Sequence, residues 1–492
     1  MKDESQPHPR GIYTLYFTEM WERMSYYGMR ALLILYMTDT VKGGMGLDIA
    51  TAGAIYGLYT CAVYLVALPG GWIADRLIGP QRAVLAGGII IAAGHFLLAV
   101  PDTRAFFGGL LVVVLGTALL KPNASTLVGH LYPEGGARRD AGFTLFYMGI
   151  NLGAFVGPLI CGGLAKRYNW HVGFAAAGVG MVAGVIQYWI TQRHLGEAGR
   201  HPSVPSRFPQ RDWAIVWTVL AVIGTAAALT LSGTIKVNPV KLAQGTSFVI
   251  AGVAGLWFAW AFSLAGLSVV EKKRLVVVAI LFIGSALFWS GYEQAGSVFN
   301  LFAERHSNRV MGGLPVPGKF FMLPAEWFQS INPLLILMLA APVSGLWLAL
   351  AKRDILPSLG VKFGAGLLLL AAGFLVMYFA ARSTLAVGKV TILWLCLTYL
   401  LHTVGELFLS PVGLSAVTKL TPAKLSSQAM GVWFLATSLG NLIAGLFAGA
   451  VSGDNTASMP NQFLLVVMIS GGAGLLMLLC ARPIKKLMAG VE

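Results

Sequence analysis

The segment from Glu19 to Arg30 reads Glu-x-x-Glu-Arg-x-x-Tyr-Tyr-x-x-Arg, with Glu19, Glu22, Arg23, Tyr26, Tyr27 and Arg30 at spacings of three and four residues. On an α-helix such positions form one stripe. The surrounding residues are apolar enough to sit in a bilayer, where a charge at mid-depth costs about 2.5–3.5 kcal/mol on insertion scales. The stripe must therefore face the protein interior. Lys121, Glu293 and Glu406 add single charges from other hydrophobic segments, and Lys362 is expected to snorkel at a helix end. One use for this set is structural, charges pairing off to lock helices together. The other is a binding site: both signs of charge, flanked by Tyr64, Tyr147, Trp289 and Trp433, suit a zwitterion with variable side chains. Charges would hold the ends of such a molecule while aromatic walls tolerate its middle, and a peptide fits that description.

The elements that must position these residues follow from composition. Of 492 residues, 57% are hydrophobic and only 11% charged, less than half the charge of an ordinary soluble domain. Apolar runs of about 20 residues, the length of a membrane-crossing helix, recur along the chain. Fourteen spans are expected, from 11–37 and 49–73 at the start to 427–451 and 461–481 at the end. The runs are continuous rather than alternating, which argues against a membrane barrel. The first span carries Glu19, Glu22, Arg23 and Arg30, so it is expected to be retained rather than cleaved as a signal peptide.

The net charge of +15 does not point to nucleic acid, because no soluble basic face is available. With the N-terminus inside, 20 of the 35 Lys and Arg residues fall on cytoplasmic segments and 11 outside, as the positive-inside rule requires. Both termini are expected in the cytoplasm, with the chain multi-pass in the cell (inner) membrane. The four cysteines, Cys61, Cys161, Cys396 and Cys480, lie in apolar spans without paired spacing, which suits helix packing rather than metal or disulfide.

The polar stretch Thr191 to Arg211, with Pro202, Pro205 and Pro209, separates six spans from the rest. The expected organisation is a cytoplasmic N-terminus at 1–10, a six-helix bundle at 11–193 and a cytoplasmic linker at 194–212. Two additional helices at 213–267, a second six-helix bundle at 268–486 and a cytoplasmic tail at 487–492 follow. Weak repetition supports paired halves: IIIAAG at 89–94 resembles LLLAAG at 368–373, and FYMGINLG at 146–153 aligns with WFLATSLG at 433–440. Duplicated halves of this kind enclose a central cavity in transporters. Lys121-Pro122, Asn332-Pro333, Pro342 and Ser410-Pro411 free backbone carbonyls within spans, which is tolerated where a helix is buried or lines water. Gly149, Gly153 and Gly157 make a small-residue ridge suited to close helix packing.

The turn GGWIADRLIGPQR resembles the Gly-x-x-x-Asp-Arg-x-x-Gly-x-x-Arg loop of the major facilitator superfamily, with Asp75, Arg76, Gly79 and Arg82 in its key positions. In that superfamily the loop stabilises helix contacts of the outward-facing state. EMWERMSYYG at 19–28, the same turn and FYMGINLGAF at 146–155 together resemble the signatures of the proton-dependent oligopeptide transporter family. FWSGYEQAGS at 288–297, QSINP at 329–333 and GELFLSPVGLS at 405–415 extend the likeness over both halves. The resemblance implies an all-α membrane protein of the major facilitator fold, two six-helix bundles with two inserted helices. It implies proton-coupled import of di- and tripeptides by alternating access, with the proton as coupling ion, no further cofactor, no metal and a monomeric state.

By the same resemblance Arg23, Arg30 and Lys121 attract the peptide carboxylate, while Asn151, Asn332 and Glu406 hold its amino end. Tyr27, Tyr64, Trp289 and Trp433 shape the side-chain pockets, and Tyr147 and Glu293 also belong to the expected peptide-binding set. Glu19, Glu22 and Glu293 are the proton-coupling candidates, with Arg23 as the switchable partner. Met24 stands where the family usually has Phe, and no histidine lies between residues 49 and 73, so a coupling scheme built on a histidine there does not apply. His402, one turn before Glu406, is expected to pack rather than relay protons.

Other classes fit less well. GLPVPGK at 313–319 satisfies the phosphate-loop pattern, but its two prolines lack amide donors and Phe320 replaces the magnesium-binding hydroxyl. No nucleophile elbow, metal-spaced histidine cluster or cofactor motif suggests an enzyme. Relatives that carry nitrate or other anions remain an alternative, against which Glu406 argues: a small anion has no use for it.

Overall fold

In the computed structural model, which describes residues 7–134, 136–311, 321–353, 355, 357–451 and 456–490, the chain is almost wholly helical. The helices are α1 (Arg10–Thr38), α2 (Ile49–Leu65), α3 (Ala67–Ile73), α4 (Pro80–Leu98), α5 (Thr103–His130), α6 (Gly136–Arg167) and α7 (Trp170–Thr191). After a polar linker come α8 (Pro209–Leu231) and α9 (Pro239–Ser263). The remainder holds α10 (Val269–Tyr292), α11 (Val298–His306), α12 (Ile331–Ala351), α13 (Leu359–Val387), α14 (Leu393–Leu420), α15 (Ser426–Val451), α16 (Met459–Leu479) and α17 (Ala481–Leu487). Short strands trim one end: β1 (Ser307–Asn308) pairs in parallel with β4 (Val390–Thr391), and β2 (Val310–Met311) antiparallel with β3 (Phe321–Met322). The phosphate-loop look-alike at 313–319 lies outside the described residues.

Among the described residues thirteen helical segments are long and apolar enough to cross a membrane. α1 is taken as the fourteenth span: its 29 residues reach about 44 Å, and its buried charges, with its tyrosines and threonines, lower its hydropathy. Capping follows local chemistry. Asp102 accepts the Ala105 amide at 2.8 Å to start α5, and Asn169 accepts that of Val172 at 3.0 Å to start α7. Ser268 and Glu271 form a reciprocal capping box at the start of α10.

The chain divides into two compact units, residues 1–46 with 65–238, and residues 47–64 with 239–492. This division differs from the boundaries expected at 193 and 268. Residues 47–64, expected in the first bundle, cluster with the second unit. α2 presents Gly53 and Gly57 to α15, where a Cβ on either would meet the Gly445 backbone. The helix then breaks at Val66, and α3 joins the first unit, Gly70 lying against the Ala118 carbonyl of α5. The inserted pair is divided as well: α8 belongs to the first unit, while α9 packs on α15 in the second, through Ile250 and Ala254 among others.

Within the first unit, α1 is central and packs chiefly on α6 and α7. The ridge expected on the fifth span does this work: a Cβ at Gly149, Gly153 or Gly157 would come within 3.0 Å of the α1 backbone at Tyr16, Met20 or Met24. Close backbone approach of small residues gives these helices their van der Waals contact in a solvent that offers no hydrophobic drive. In the second unit α13 is wrapped by α14 and α16, with Phe299, Phe374 and Phe463 packed at tilted angles about His402 or one another.

Candidate functional site

The charged stripe of α1 is buried. Glu19, Glu22, Arg23 and Arg30 are 3%, 1%, 4% and 6% exposed, so these charges interact through protein rather than water. Arg23 Nε donates to Glu19 Oε1 at 2.8 Å and lies 2.7 Å from Glu22 Oε2. One guanidinium thus sits between two carboxylates, set by the spacing i, i+3, i+4 on one helix. The guanidinium also stands 5.6 Å from the centre of the Tyr26 ring, and that of Arg30 stands 5.7 Å from the centre of the Tyr27 ring. Lys121, next to the in-helix Pro122 of α5, is half-buried. On α6, the buried Asn151 returns its amide hydrogen to the Tyr147 carbonyl at 2.9 Å, while the Tyr147 side chain is exposed. Arg23, Arg30 and Lys121 against Glu19 and Glu22 make three bases and two acids, a formal charge of +1.

The second unit assembles a different set. Glu406 on α14 accepts from the Tyr292 hydroxyl at 2.6 Å and from the Asn332 amide at 3.1 Å, both on Oε2. Asn332 is itself held by Thr403 Oγ1 at 2.9 Å, and Thr403 donates to the Tyr399 carbonyl one turn earlier at 2.7 Å. Tyr292 ends α10, and the buried Glu293 begins the following 3₁₀ turn, where the helix register changes. Glycines make room for the two tryptophans: Gly413 lies under the Trp433 ring and Gly440 against Trp289. Glu293 and Glu406 give this set a formal charge of −2. Tyr64, near the end of α2, belongs to this unit and is half-buried.

His402 behaves as a core residue. Its ring is completely enclosed beside Phe299 and Phe374, Nε2 lies 3.2 Å from the Leu370 carbonyl, and Gly373 has no Cβ to obstruct it. The cysteines are free thiols, and no group of three metal-capable side chains occurs among the described residues.

The 75–82 turn engages the linker in a way its motif does not announce. Asp75 Oδ1 accepts from Ser203 at 2.9 Å, and the carbonyls of Asp75 and Arg76 accept the Val204 and Ser206 amides at 3.0 and 3.1 Å. Gln81 donates to the Gly196 and Ala198 carbonyls. Gly79 adopts φ 82°, open to glycine, and a Cβ there would lie 2.9 Å from the Arg200 carbonyl. Arg76 reaches the buried Asp212 at 3.8 Å, the first acid of α8, which Ser206 also contacts at 2.7 Å. Arg82 is exposed at the start of α4.

Sequence reasoning missed Tyr292, Thr403 and Asp212. Tyr292 lay inside a quoted motif, and its signal was available: a phenol on a buried apolar helix needs a hydrogen-bond partner for its hydroxyl. Backbone acceptors such as those binding the Val204 amide and Gln81 leave no such trace.

Membrane-length helices in two units, each burying a polar set, of opposite formal charge, are those of a multi-pass helical transporter. A sequence model described as the POT family matches residues 81–463. The chain belongs to the POT family, within the major facilitator superfamily. It is 43% identical over 500 residues to the peptide transporter YePEPT of Yersinia enterocolitica subsp. palearctica, covering 99% of this chain and 96% of that one. It is 36% identical over 491 residues to a di-/tripeptide transporter of Lactococcus lactis subsp. cremoris, covering 98% and 97%. A crystal structure described as the peptide transporter POT in complex with sulfate matches with TM-score 0.90 and 37% identity, covering 99% of this chain and 98% of that one.

Proposed function

We propose that the protein imports di- and tripeptides by proton-coupled symport through alternating access, across the inner membrane, with both termini in the cytoplasm. The observation that carries this reading is the division of charge. The first unit offers Arg23, Arg30 and Lys121, suited to a carboxylate. The second offers Glu406, fixed by Tyr292 and Asn332 and suited to an ammonium. A molecule that carries both a carboxylate and an ammonium has a use for each set, and the aromatic residues Tyr27, Tyr64, Tyr147, Trp289 and Trp433 suit varied side chains. An inorganic anion would use only the first. The names of the relatives support a peptide, and the sulfate of the crystallised relative accords with a cationic set that takes an anion.

Proton coupling is assigned to Glu19, Glu22 and Glu293, with Arg23 as switch. Glu19 and Glu22 share Arg23, so a peptide carboxylate that draws Arg23 away leaves two buried acids with less compensation, and a proton relieves them. Net charge entry then draws on the membrane potential, about 2.3 kcal/mol per charge per 100 mV. Dialanine uptake into proteoliposomes, with and without an inward proton gradient, tests the reading. Gradient-driven accumulation should occur and be lost in Glu22→Gln. Correctly oriented, folded protein that takes up no dialanine under a gradient would defeat the assignment.

A further inference from the structure

We infer that Tyr292 is a positioning residue that gives the transporter its requirement for a free amine, acting through Glu406; this rests on the peptide reading above. A glutamate projecting from a helix has several freely turning side-chain bonds, and without fixed partners its carboxylate samples many positions. Here both donors, the Tyr292 hydroxyl at 2.6 Å and the Asn332 amide at 3.1 Å, converge on Oε2. The carboxylate is thereby locked with its second oxygen, Oε1, left as the edge that meets an ammonium. The Tyr292 contact has the short length of a charge-assisted hydroxyl–carboxylate bond.

The phenol is itself held. Its ring stacks on Phe288 with centroids 5.6 Å apart, and meets Trp289 edge-on at 5.2 Å. The wall that faces the substrate side chain and the group that orients the amine anchor are thus one packed aromatic cluster on α10, three residues and one turn in extent. Thr403 supports the other donor from α14, one turn before Glu406. The arrangement fixes Glu406 from two helices, so an amine meets a carboxylate already in place and little rotamer freedom is lost on binding.

Tyr292→Phe removes only the hydroxyl. In proteoliposomes the KM for dialanine should rise about tenfold, the weight of one hydrogen bond to a charged group, with the maximal rate retained. N-acetyl-dialanine, which carries no ammonium, should compete no worse against the variant than against wild type, so the preference for the free amine collapses. Thr403→Val, which frees the Asn332 amide, should give a smaller change of the same selectivity and carries the test if Tyr292→Phe does not reconstitute. An unchanged KM in folded variant protein, or an equal weakening for the acetylated peptide, overturns the inference while leaving peptide transport intact. Wild-type protein that transports no dialanine overturns the peptide reading and this inference with it.

Discussion

Replacing Arg23 with methionine tests whether the buried triplet is a balanced electrostatic unit. Methionine keeps much of the side-chain stem but removes the guanidinium that lies 2.8 Å from Glu19 and 2.7 Å from Glu22. Both acids are at most 3% exposed, so neither gains water in exchange. Removing one partner of a buried ion pair costs about 3–5 kcal/mol, because the remaining charge stays desolvated. At roughly 2–4 °C per kcal/mol for a unit of this size, the variant should melt some 6–20 °C below wild type in detergent. The decisive comparison is the triple variant Glu19→Gln/Arg23→Met/Glu22→Gln. It has lost the same salt bridges yet buries no carboxylate, so it should recover at least half of the lost stability. It should nonetheless show no proton-driven accumulation. Arg23→Met melting with wild type would refute the electrostatic account. A triple variant melting as low as Arg23→Met would show that the loss was packing around the guanidinium stem.

Two further outcomes follow from groups outside the apolar helices and at their ends. Asp212→Asn keeps the shape of the side chain but weakens its hold on Arg76, so the amides of Val204 and Ser206, bonded to the 75–76 carbonyls, should exchange about fivefold faster, as for a loss of about 1 kcal/mol. Hydrogen exchange by mass spectrometry checks this, and unchanged exchange at those amides would show that the linker is held without Asp212. Asp39, just beyond α1, is partly buried, which raises its affinity for a proton, but bonds from Trp170 Nε1 and the amides of Val41, Lys42 and Gly44 outweigh burial and hold its carboxyl below the usual range. Its stabilisation is complete above the ordinary carboxylate value of about 3.9 and is lost as pH falls through its lower folded value. Asp39→Asn should therefore cost about 1–2 kcal/mol at neutral pH, with the gap to wild type closing in acid; a gap independent of pH would contradict the assignment.

What could be read from the sequence was whatever carried a cost in lipid. Glu19, Glu22, Arg23 and Arg30 stood out because four charges in one span cannot face hydrocarbon, and the helix period fixed which side they share. The glycine ridge of α6 was legible for the same reason: small residues at i, i+4 and i+8 have little use in a membrane other than close approach, and they meet α1 as the spacing requires. What escaped depends on pairings between distant segments. Nothing local marks Val66 as the place where the chain leaves α2 in the second unit and returns to the first, since the division follows from Gly53 and Gly57 meeting Gly445, almost 400 residues away. Likewise the Asp-Arg turn was visible as a motif, but much of its hold on the linker runs through main-chain carbonyls that every residue possesses.

Tyr292 and Glu293 show the limit most sharply, because they are neighbours. A search for chemistry selects the charged residue and passes over the phenol, as a tyrosine among Phe288 and Trp289 looks like packing. Yet it is the phenol whose hydroxyl lies 2.6 Å from the carboxylate of α14, while Glu293 begins a turn in which the helix register changes. In a membrane interior, where donors are scarce, a hydroxyl directed at a carboxylate determines where that charge sits. The selectivity of the site then depends as much on the neutral groups that fix its charges as on the charges themselves, and those neutral groups become visible only when the helices are placed together.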